Sequence, residues 1–490
     1  MFNHFKRLGI QVMVYGLGDA INKLIAILIL PLFTRYLSPA DYGAAAVLSV
    51  SGSFIIGVAD LGLITGVYRY YHEAKSRERR LFFSTTLIFI VALTILIALL
   101  AFIFSNQIST IFFRSPNFSY IIILNFLTIP LYMITVMPLT RLKLEENAKA
   151  FTFFSVSRVV TGVILNIILI VVLKRGLNGL FEGPFLNSIL YAVILGLYSL
   201  KTSGLKFSKT IFLKLFVFGF PFLLATIAFW IMDWADRFIL VRLTNLSEVG
   251  LYNLGYSIGM AITLLLVAFE AAWPPFYLAI ARKRNAKKIY SAVFTYYSLI
   301  VGFFVLLISI FGRDYFEFFT KEEFHGAYLV IPLVTLAYAL KGNFIIAAVG
   351  AFLKKKSFYQ FYTEGIAVLL NIGGMFLLIP LMGRLGAAWA TLVAYLILTP
   401  VIIWLSRKIY PMKYELNRII QIVVIGVGLY VLAKTIYQPT FSNVIIRFIL
   451  VLFYPIALWL IGFFNNDEIK RLKSIYAKYK LRVAPSLFNK

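Results

Sequence analysis

The stretch GDAINKLIAILILPLFTRYLSPADYG, Gly18 to Gly43, decides what kind of molecule this is. Its apolar run can cross a bilayer, because about 20 apolar residues in a helix span a hydrocarbon core of ~30 Å. Yet it carries Asp19 and Lys23, four residues apart and so on one helix face. A charge at mid-membrane depth costs at least a few kcal/mol, so such residues face a partner or a watery cavity. That face therefore has two readings: an ion pair that locks helix packing, or a polar wall along a transport path. The run closes in a short polar turn, Arg35 to Gly43, before the next apolar run begins.

The rest of the chain repeats this design. Of 490 residues, 61% are hydrophobic and only 14% charged, against about 25% charged in soluble domains. The chain is an integral membrane protein. It has no cysteine, which excludes disulfides, a thiolate nucleophile and Cys-based metal sites. His4, His72 and His325 are too scattered for a His-based site, so no metal is expected. Lys6 and Arg7 precede an apolar segment longer than a signal-peptide core, without a small-residue cleavage site. It reads as a retained first helix.

Apolar windows give fourteen spans, near 10–34, 42–66, 81–104, 118–139, 150–173, 178–200, 214–236, 249–275, 290–311, 327–352, 358–381, 385–405, 419–436 and 444–464. With the N-terminus inside, 33 of the 47 Lys and Arg fall in inside segments and 9 in outside turns. That asymmetry is the positive-inside signal and predicts cytoplasmic termini. The net charge of +27 is thus a topology signal with attraction to anionic lipid as a by-product; it requires no nucleic acid. The loops are too short to house an active site, and no Gly-rich loop ends in Gly-Lys-Ser/Thr. No catalytic residue, nucleotide or other cofactor is expected.

An internal repeat appears at an offset of 207: Arg35-Tyr-Leu-Ser-Pro-Ala-Asp41-Tyr-Gly43 aligns with Arg242-Leu-Thr-Asn-Leu-Ser-Glu248-Val-Gly250, and Gly52 with Gly259. A second match, Leu165-Asn166-Ile167 with Leu370-Asn371-Ile372, lies at an offset of 205. Six helices separate the matched segments, so both run the same way: a parallel repeat of two six-helix halves, as in secondary transporters. The expected architecture is an all-α membrane protein with lobes at 1–210 and 211–410, helices thirteen and fourteen at 411–466, and a basic tail at 467–490.

Charges inside the spans are the candidate site. Lys23, Arg158 and Lys341 are cations, and neither Arg158 nor Lys341 has an acidic residue one helical turn away. That points to an aqueous interior that meets negative charge, with snorkelling to the inner face as the alternative. Asp19, Asp60, Asp233, Asp236, Arg237 and Glu270 complete the set. Asp233 and Arg237 have ion-pair spacing; Asp236 and Arg237 also suit the outer head-group layer.

These residues carry a family likeness. Gly18-Asp19 through Leu32-Phe33-Thr34-Arg35-Tyr36-Leu37-Ser38-Pro39-Ala40-Asp41-Tyr42-Gly43 resembles the opening of bacterial polysaccharide (O-antigen type) flippases, as does Asp60-Leu61-Gly62-Leu63. Asp236-Arg237-Phe238-Ile239-Leu240 followed by Val249-Gly250-Leu251-Tyr252 is similar to that family's second-half signature. The resemblance implies a MATE-like fold of the multidrug/oligosaccharidyl-lipid/polysaccharide exporter superfamily, in a bacterial inner membrane. It implies translocation of an undecaprenyl-diphosphate-linked oligosaccharide from the inner to the outer leaflet by alternating access. The implied partners are that polyprenyl-linked glycan, membrane lipid, and a polysaccharide polymerase with assembly proteins; coupling would use a Na⁺ or H⁺ gradient. On this reading Lys23, Arg158 and Lys341 touch diphosphate or acidic sugar, and the remaining charged residues balance them or bind the coupling ion. Two rivals stay open. A drug antiporter of the same fold would offer acidic residues to cationic substrates, and a membrane polymerase or glycosyltransferase would need a large outer loop or an acidic catalytic motif.

Overall fold

The computed structural model describes residues 25, 27–354, 356, 358–438, 440–465 and 468, with backbone only at 224–225, 228–229, 231–234, 360–361 and 441. Asp19, Lys23, the Asp233 side chain and the tail from 469 lie outside the described residues, as does most of the first expected span.

Hydrocarbon leaves no water for backbone N–H and C=O groups, so a chain this apolar must satisfy them internally. Among the described residues it does so with helices and no strand. The first half holds α1 (Pro39–Ala59), α2 (Leu63–Tyr70), α3 (Ser76–Ile103), α4 (Ser105–Phe113), α5 (Ser119–Leu144), α6 (Ala148–Asn166) and α7 (Gly176–Ser203). The second holds α8 (Lys209–Leu243), α9 (Leu246–Gly259), α10 (Thr263–Ile280), α11 (Ala286–Phe319), α12 (Ile331–Ala347), α13 (Val349–Leu353), α14 (Phe358–Met382) and α15 (Arg384–Ile409). Two more follow, α16 (Leu416–Thr435) and α17 (Phe441–Leu460). Among the described residues twelve segments are long and apolar enough to cross a membrane, matching expected spans two to six and eight to fourteen. The seventh lies within the 35-residue α8, and helical backbone at 27–33 belongs to the first.

The described residues form two compact units. The first takes those up to Ile258 with Phe319–Val330 and Val368–Ala394. Its core includes Phe82, Phe83, Ile122, Met133 and Leu215. The second takes Gly259–Phe318, Ile331–Ala367 and the described residues from Tyr395 onward. In its core Leu306 and Ile310 of α11 pack with Ile422 and Leu429 of α16 and Val451 and Tyr454 of α17. Outward faces stay apolar, with Leu99, Val424 and Trp459 all more than half exposed, as suits helices solvated by lipid.

In the first unit the repeated turns take up related structures. Ser38 caps α1 by accepting the Asp41 N–H at 3.2 Å, while the Asp41 carboxylate accepts the Ser38 N–H and hydroxyl, each at 2.8 Å. This capping box has Pro39 at the first helical position. At the equivalent place Asn245 accepts the Glu248 N–H at 3.0 Å, but Glu248 turns away to pair with Arg384 and accept its backbone N–H at 2.9 Å.

The two turns also meet. A Cβ on Gly43 would fall on the Leu246 carbonyl, and a Cβ on Gly250 would fall on the Pro39 carbonyl. Pro39 and Leu246 are themselves 207 residues apart, so each contact is the image of the other, the reciprocity expected at a two-fold interface. A second bare-backbone crossing joins Gly62 to Gly219 of α8. There the second span breaks between α1 and α2: Leu61 and Gly62 have φ of +48° and +75°, and Asp60 accepts the Ile64 N–H at 2.9 Å. The repeat-matched Asn166 lies against Gly183 of α7, and Asn371 donates to Thr391 of α15 at 3.1 Å.

Gly43→Val and Gly250→Val are each expected to destabilise the protein by about 1–3 kcal/mol through overpacking. Gly428→Ala, with open space around it, should leave stability unchanged or raise it by up to ~1 kcal/mol. Thermal unfolding in detergent checks this; identical melting of all three variants would rule out the close approach.

Candidate functional site

Of the five cations left within or at the edge of the expected spans, four are described: Arg158, Arg237, Lys341 and Arg447. Their surroundings differ, and the difference sorts them.

Arg237 of α8 is 1% exposed and pairs with Asp236, Nη1 lying 2.6 Å from Oδ1 and 2.7 Å from Oδ2. Tyr252 of α9 donates its hydroxyl to Asp236 Oδ2 at 2.6 Å. The guanidinium lies 4.0 Å from the Tyr256 ring centre and 5.2 Å from that of Tyr252. Buried charges need this degree of pairing and hydrogen bonding to be tolerated. The two signature stretches that begin at Asp236 and Val249 therefore fold onto each other.

Arg447 of α17 is equally buried and lies 2.7 Å from Asp314 of α11. Both it and Arg313 approach the Tyr437 ring, at 4.4 and 3.4 Å, and the Tyr437 hydroxyl donates to Glu317 at 2.5 Å. This cluster ties α17 to α11. Lys341 of α12 lies 5.7 Å from the Tyr338 ring centre, and Glu270 of α10 is within electrostatic reach of it. The acidic neighbour that Lys341 lacks along its own helix comes from another one.

Arg158 is the exception. It sits ten residues into α6, about 15 Å along the axis and near mid-membrane depth. Its Nη1 donates to Thr135 Oγ1 at 3.1 Å, and its guanidinium lies 4.4 Å from the Tyr132 ring centre, both on α5. Asn187 of α7 donates to the Arg158 carbonyl at 3.1 Å, and the Thr161 and Tyr191 hydroxyls lie 3.3 Å apart close by. Among the described residues no carboxylate pairs with Arg158. The surroundings are neutral hydroxyls, an amide and an aromatic face, so the net charge is positive and an oxyanion is the natural complement.

The structure thus joins Asp236 to Arg237 and brings Glu270 near Lys341, while Asp60 is engaged in capping α2. Tyr132, Thr135 and Asn187 escape sequence reading because they sit on different helices from Arg158. Tyr252 was signalled only by its place in the signature. Among the described residues no group of three His, Asp or Glu could hold a metal.

The family model described as polysaccharide biosynthesis protein matches residues 8–280. A Haemophilus influenzae protein named for its Lsg locus is 20% identical over 348 residues, 68% of this chain and 83% of that protein. The lipid II flippase MurJ, in an inward closed conformation, superposes with a TM-score of 0.66 at 16% identity, over 92% of this chain and 98% of MurJ. An inward-facing multidrug resistance transporter of the MATE family and MOP superfamily gives 0.62 at 14% identity, over 85% and 98%. These likenesses show the fold, and it is the MATE-like one that the sequence resemblance implied.

Asp236→Ala is expected to cost about 3–5 kcal/mol, because it strands a buried guanidinium. Tyr252→Phe should cost about 1–3 kcal/mol. The double replacement Asp236→Leu with Arg237→Met should recover most of the loss. Thermal unfolding is the readout; a double variant no more stable than Asp236→Ala would contradict the assignment.

Proposed function

The chain belongs to the polysaccharide biosynthesis protein family, and on that premise we propose that it flips an undecaprenyl-diphosphate-linked oligosaccharide from the inner to the outer leaflet by alternating access. The observation that carries this reading is Arg158, a mid-membrane guanidinium whose described neighbours include hydroxyls and an aromatic ring but no carboxylate. An unpaired charge at that depth is costly, and an anionic group that arrives with the substrate would offset the cost.

The cargo has the matching requirement. Each glycan hydroxyl costs several kcal/mol to bury unpaired, and a diphosphate cannot enter bare hydrocarbon. The head group needs a hydrated, cationic path, while the prenyl tail stays in lipid. In this scheme Arg158 contacts the diphosphate or an acidic sugar, with Lys341 and Lys23 as further cations. Glu270 tempers Lys341. Asp19, Asp60 and Asp233 balance charge or serve a coupling ion, and the closed Asp236–Arg237–Tyr252 cluster holds α8 to α9. The two lobes, 1–210 and 211–410, alternate in exposing this path. The protein works in the inner membrane with cytoplasmic termini, supplying a polymerase on the far side.

Arg158→Ala should lower flipping of a lipid-linked oligosaccharide in proteoliposomes by about 10- to 100-fold, the loss of one charge-assisted contact worth ~1.5–3 kcal/mol. Insertion and melting should be unchanged, and Arg158→Lys should retain part of the rate. Wild-type flipping in both variants would remove Arg158 from the path. Proton- or sodium-driven dye efflux without glycan flipping would replace the reading with a drug antiporter.

A further inference from the structure

The internal repeat lets the surroundings of Arg158 be compared with their counterpart in the second half. Its register is fixed by hydroxyls that reach matching carbonyls. Ser84 donates to the Lys206 carbonyl and Ser291 to that of Lys413, both at 2.7 Å. Thr128 of α5 donates to the Leu124 carbonyl and Thr335 of α12 to that of Ile331, again both at 2.7 Å. Donor from donor and acceptor from acceptor, each of these pairs is 207 residues apart. In this register Thr135 corresponds to Gly342. A Cβ on Gly342 would fall on the Tyr297 hydroxyl, so a side chain from α11 fills the place that Thr135 fills in the first half.

Arg158, shifted by the 205 to 207 residues of the repeat, falls on Thr363, Glu364 or Gly365 of α14, none of them basic. The second half thus forms the matching helices without the threonine or the cation, and the Arg158–Thr135 pair is not needed to build them. The bond directions give it another role. Thr135 is fully buried and donates its hydroxyl proton to the Tyr132 carbonyl at 2.6 Å. With the proton committed there, the oxygen presents a lone pair to Nη1 of Arg158, 3.1 Å away. The Tyr132 ring, its centre 4.4 Å from the guanidinium, supports the cation from the same helix. A guanidinium is a planar fork of five N–H donors, and these two contacts fix its direction.

We infer that Thr135 is a positioning residue for substrate recognition: backed by the Tyr132 ring, it aims the Arg158 fork in advance at an oxyanion with two adjacent oxygens. Ordering a long side chain at the moment of binding costs affinity, and holding it beforehand removes part of that cost. The inference rests on the proposed function, because it names the residue that prepares Arg158 for the anion. A phosphate of the lipid carrier and the carboxylate of an acidic sugar share the chemistry that the fork accepts.

The test measures flipping by the full-length protein in proteoliposomes over a range of lipid-linked oligosaccharide concentrations, once with a neutral glycan and once with a uronic-acid glycan. Thr135→Val removes the hydroxyl at nearly constant volume. It should raise the half-saturating concentration by about 3- to 10-fold, the loss of one hydrogen bond, with little change in maximal rate. Thr135→Ser, which keeps the hydroxyl, should bring that concentration back near the wild-type value. Tyr132→Leu leaves the backbone carbonyl but removes the ring, and should shift half-saturation in the same direction as Thr135→Val. Melting in detergent reports whether each variant folds. Equal shifts with both glycans would support the inference and assign the fork to the diphosphate; a shift with the acidic glycan alone would support it and assign the fork to the sugar. Unchanged half-saturation in Thr135→Val and Tyr132→Leu beside a defective Arg158→Ala would overturn this inference and leave the proposed function standing. A Thr135→Ser protein as weak as Thr135→Val would also overturn it, making the role one of packing. Wild-type flipping by Arg158→Ala would overturn both.

Discussion

At Gly43 and Gly250 the starts of α1 and α9 meet through bare backbone, each glycine seated where a side chain would displace a carbonyl of the other segment. Lipid tails are as apolar as leucine, so no hydrophobic drive pulls helices together within a membrane. Close approach and the dispersion contacts it permits supply much of the cohesion instead. Small residues at crossings are thus the structural currency of this fold. The same device recurs where Gly62 meets Gly219, next to the break that divides the second span. Because the Gly43 and Gly250 contacts are images of each other under the 207-residue repeat, they also mark where the related halves of the chain touch.

Charge is the second constraint, and it works by exclusion. Arg237 and Arg447 are almost completely buried, and each has a carboxylate within 2.7 Å. Arg237 also has Tyr252 and Tyr256 against its guanidinium and Arg447 has Tyr437, so both are accounted for as helix ties. Lys341 is tempered by Glu270 from a neighbouring helix. Arg158 is left with a threonine hydroxyl and an aromatic face. Among the described cations at comparable depth, Arg158 is the one without a carboxylate partner.

Repetition has not kept every contact the same. Asp41 and Glu248 occupy equivalent positions, yet Asp41 closes a capping box on Ser38 while Glu248 reaches Arg384 instead. One methylene group separates the two side chains. The shorter one reaches back to its own N-cap, and the longer one can bridge to another helix. The same local signal thus yields a self-contained cap in one half and a tertiary tie in the other.

The positions of the described spans and the internal repeat were legible in the sequence, because each depends on short-range chemistry. An apolar run must be helical in lipid, and a Ser-Pro-x-Asp turn caps the helix that follows it. The fold family was legible too, through motifs such as Asp236-Arg237 and Val249-Gly250-Leu251-Tyr252. What those motifs do was not: only the folded chain brings the Tyr252 hydroxyl to Asp236, sixteen residues away. Spacing along one helix left Arg158 and Lys341 looking alike, since both lack an acid one turn away. Tertiary structure separated them by bringing Glu270 from α10 toward Lys341 and only neutral groups from α5 and α7 toward Arg158. Local sequence determines which segments enter the membrane. Which charges remain uncompensated there depends on which helices pack together, because an ion pair is set by distance in space and not along the chain.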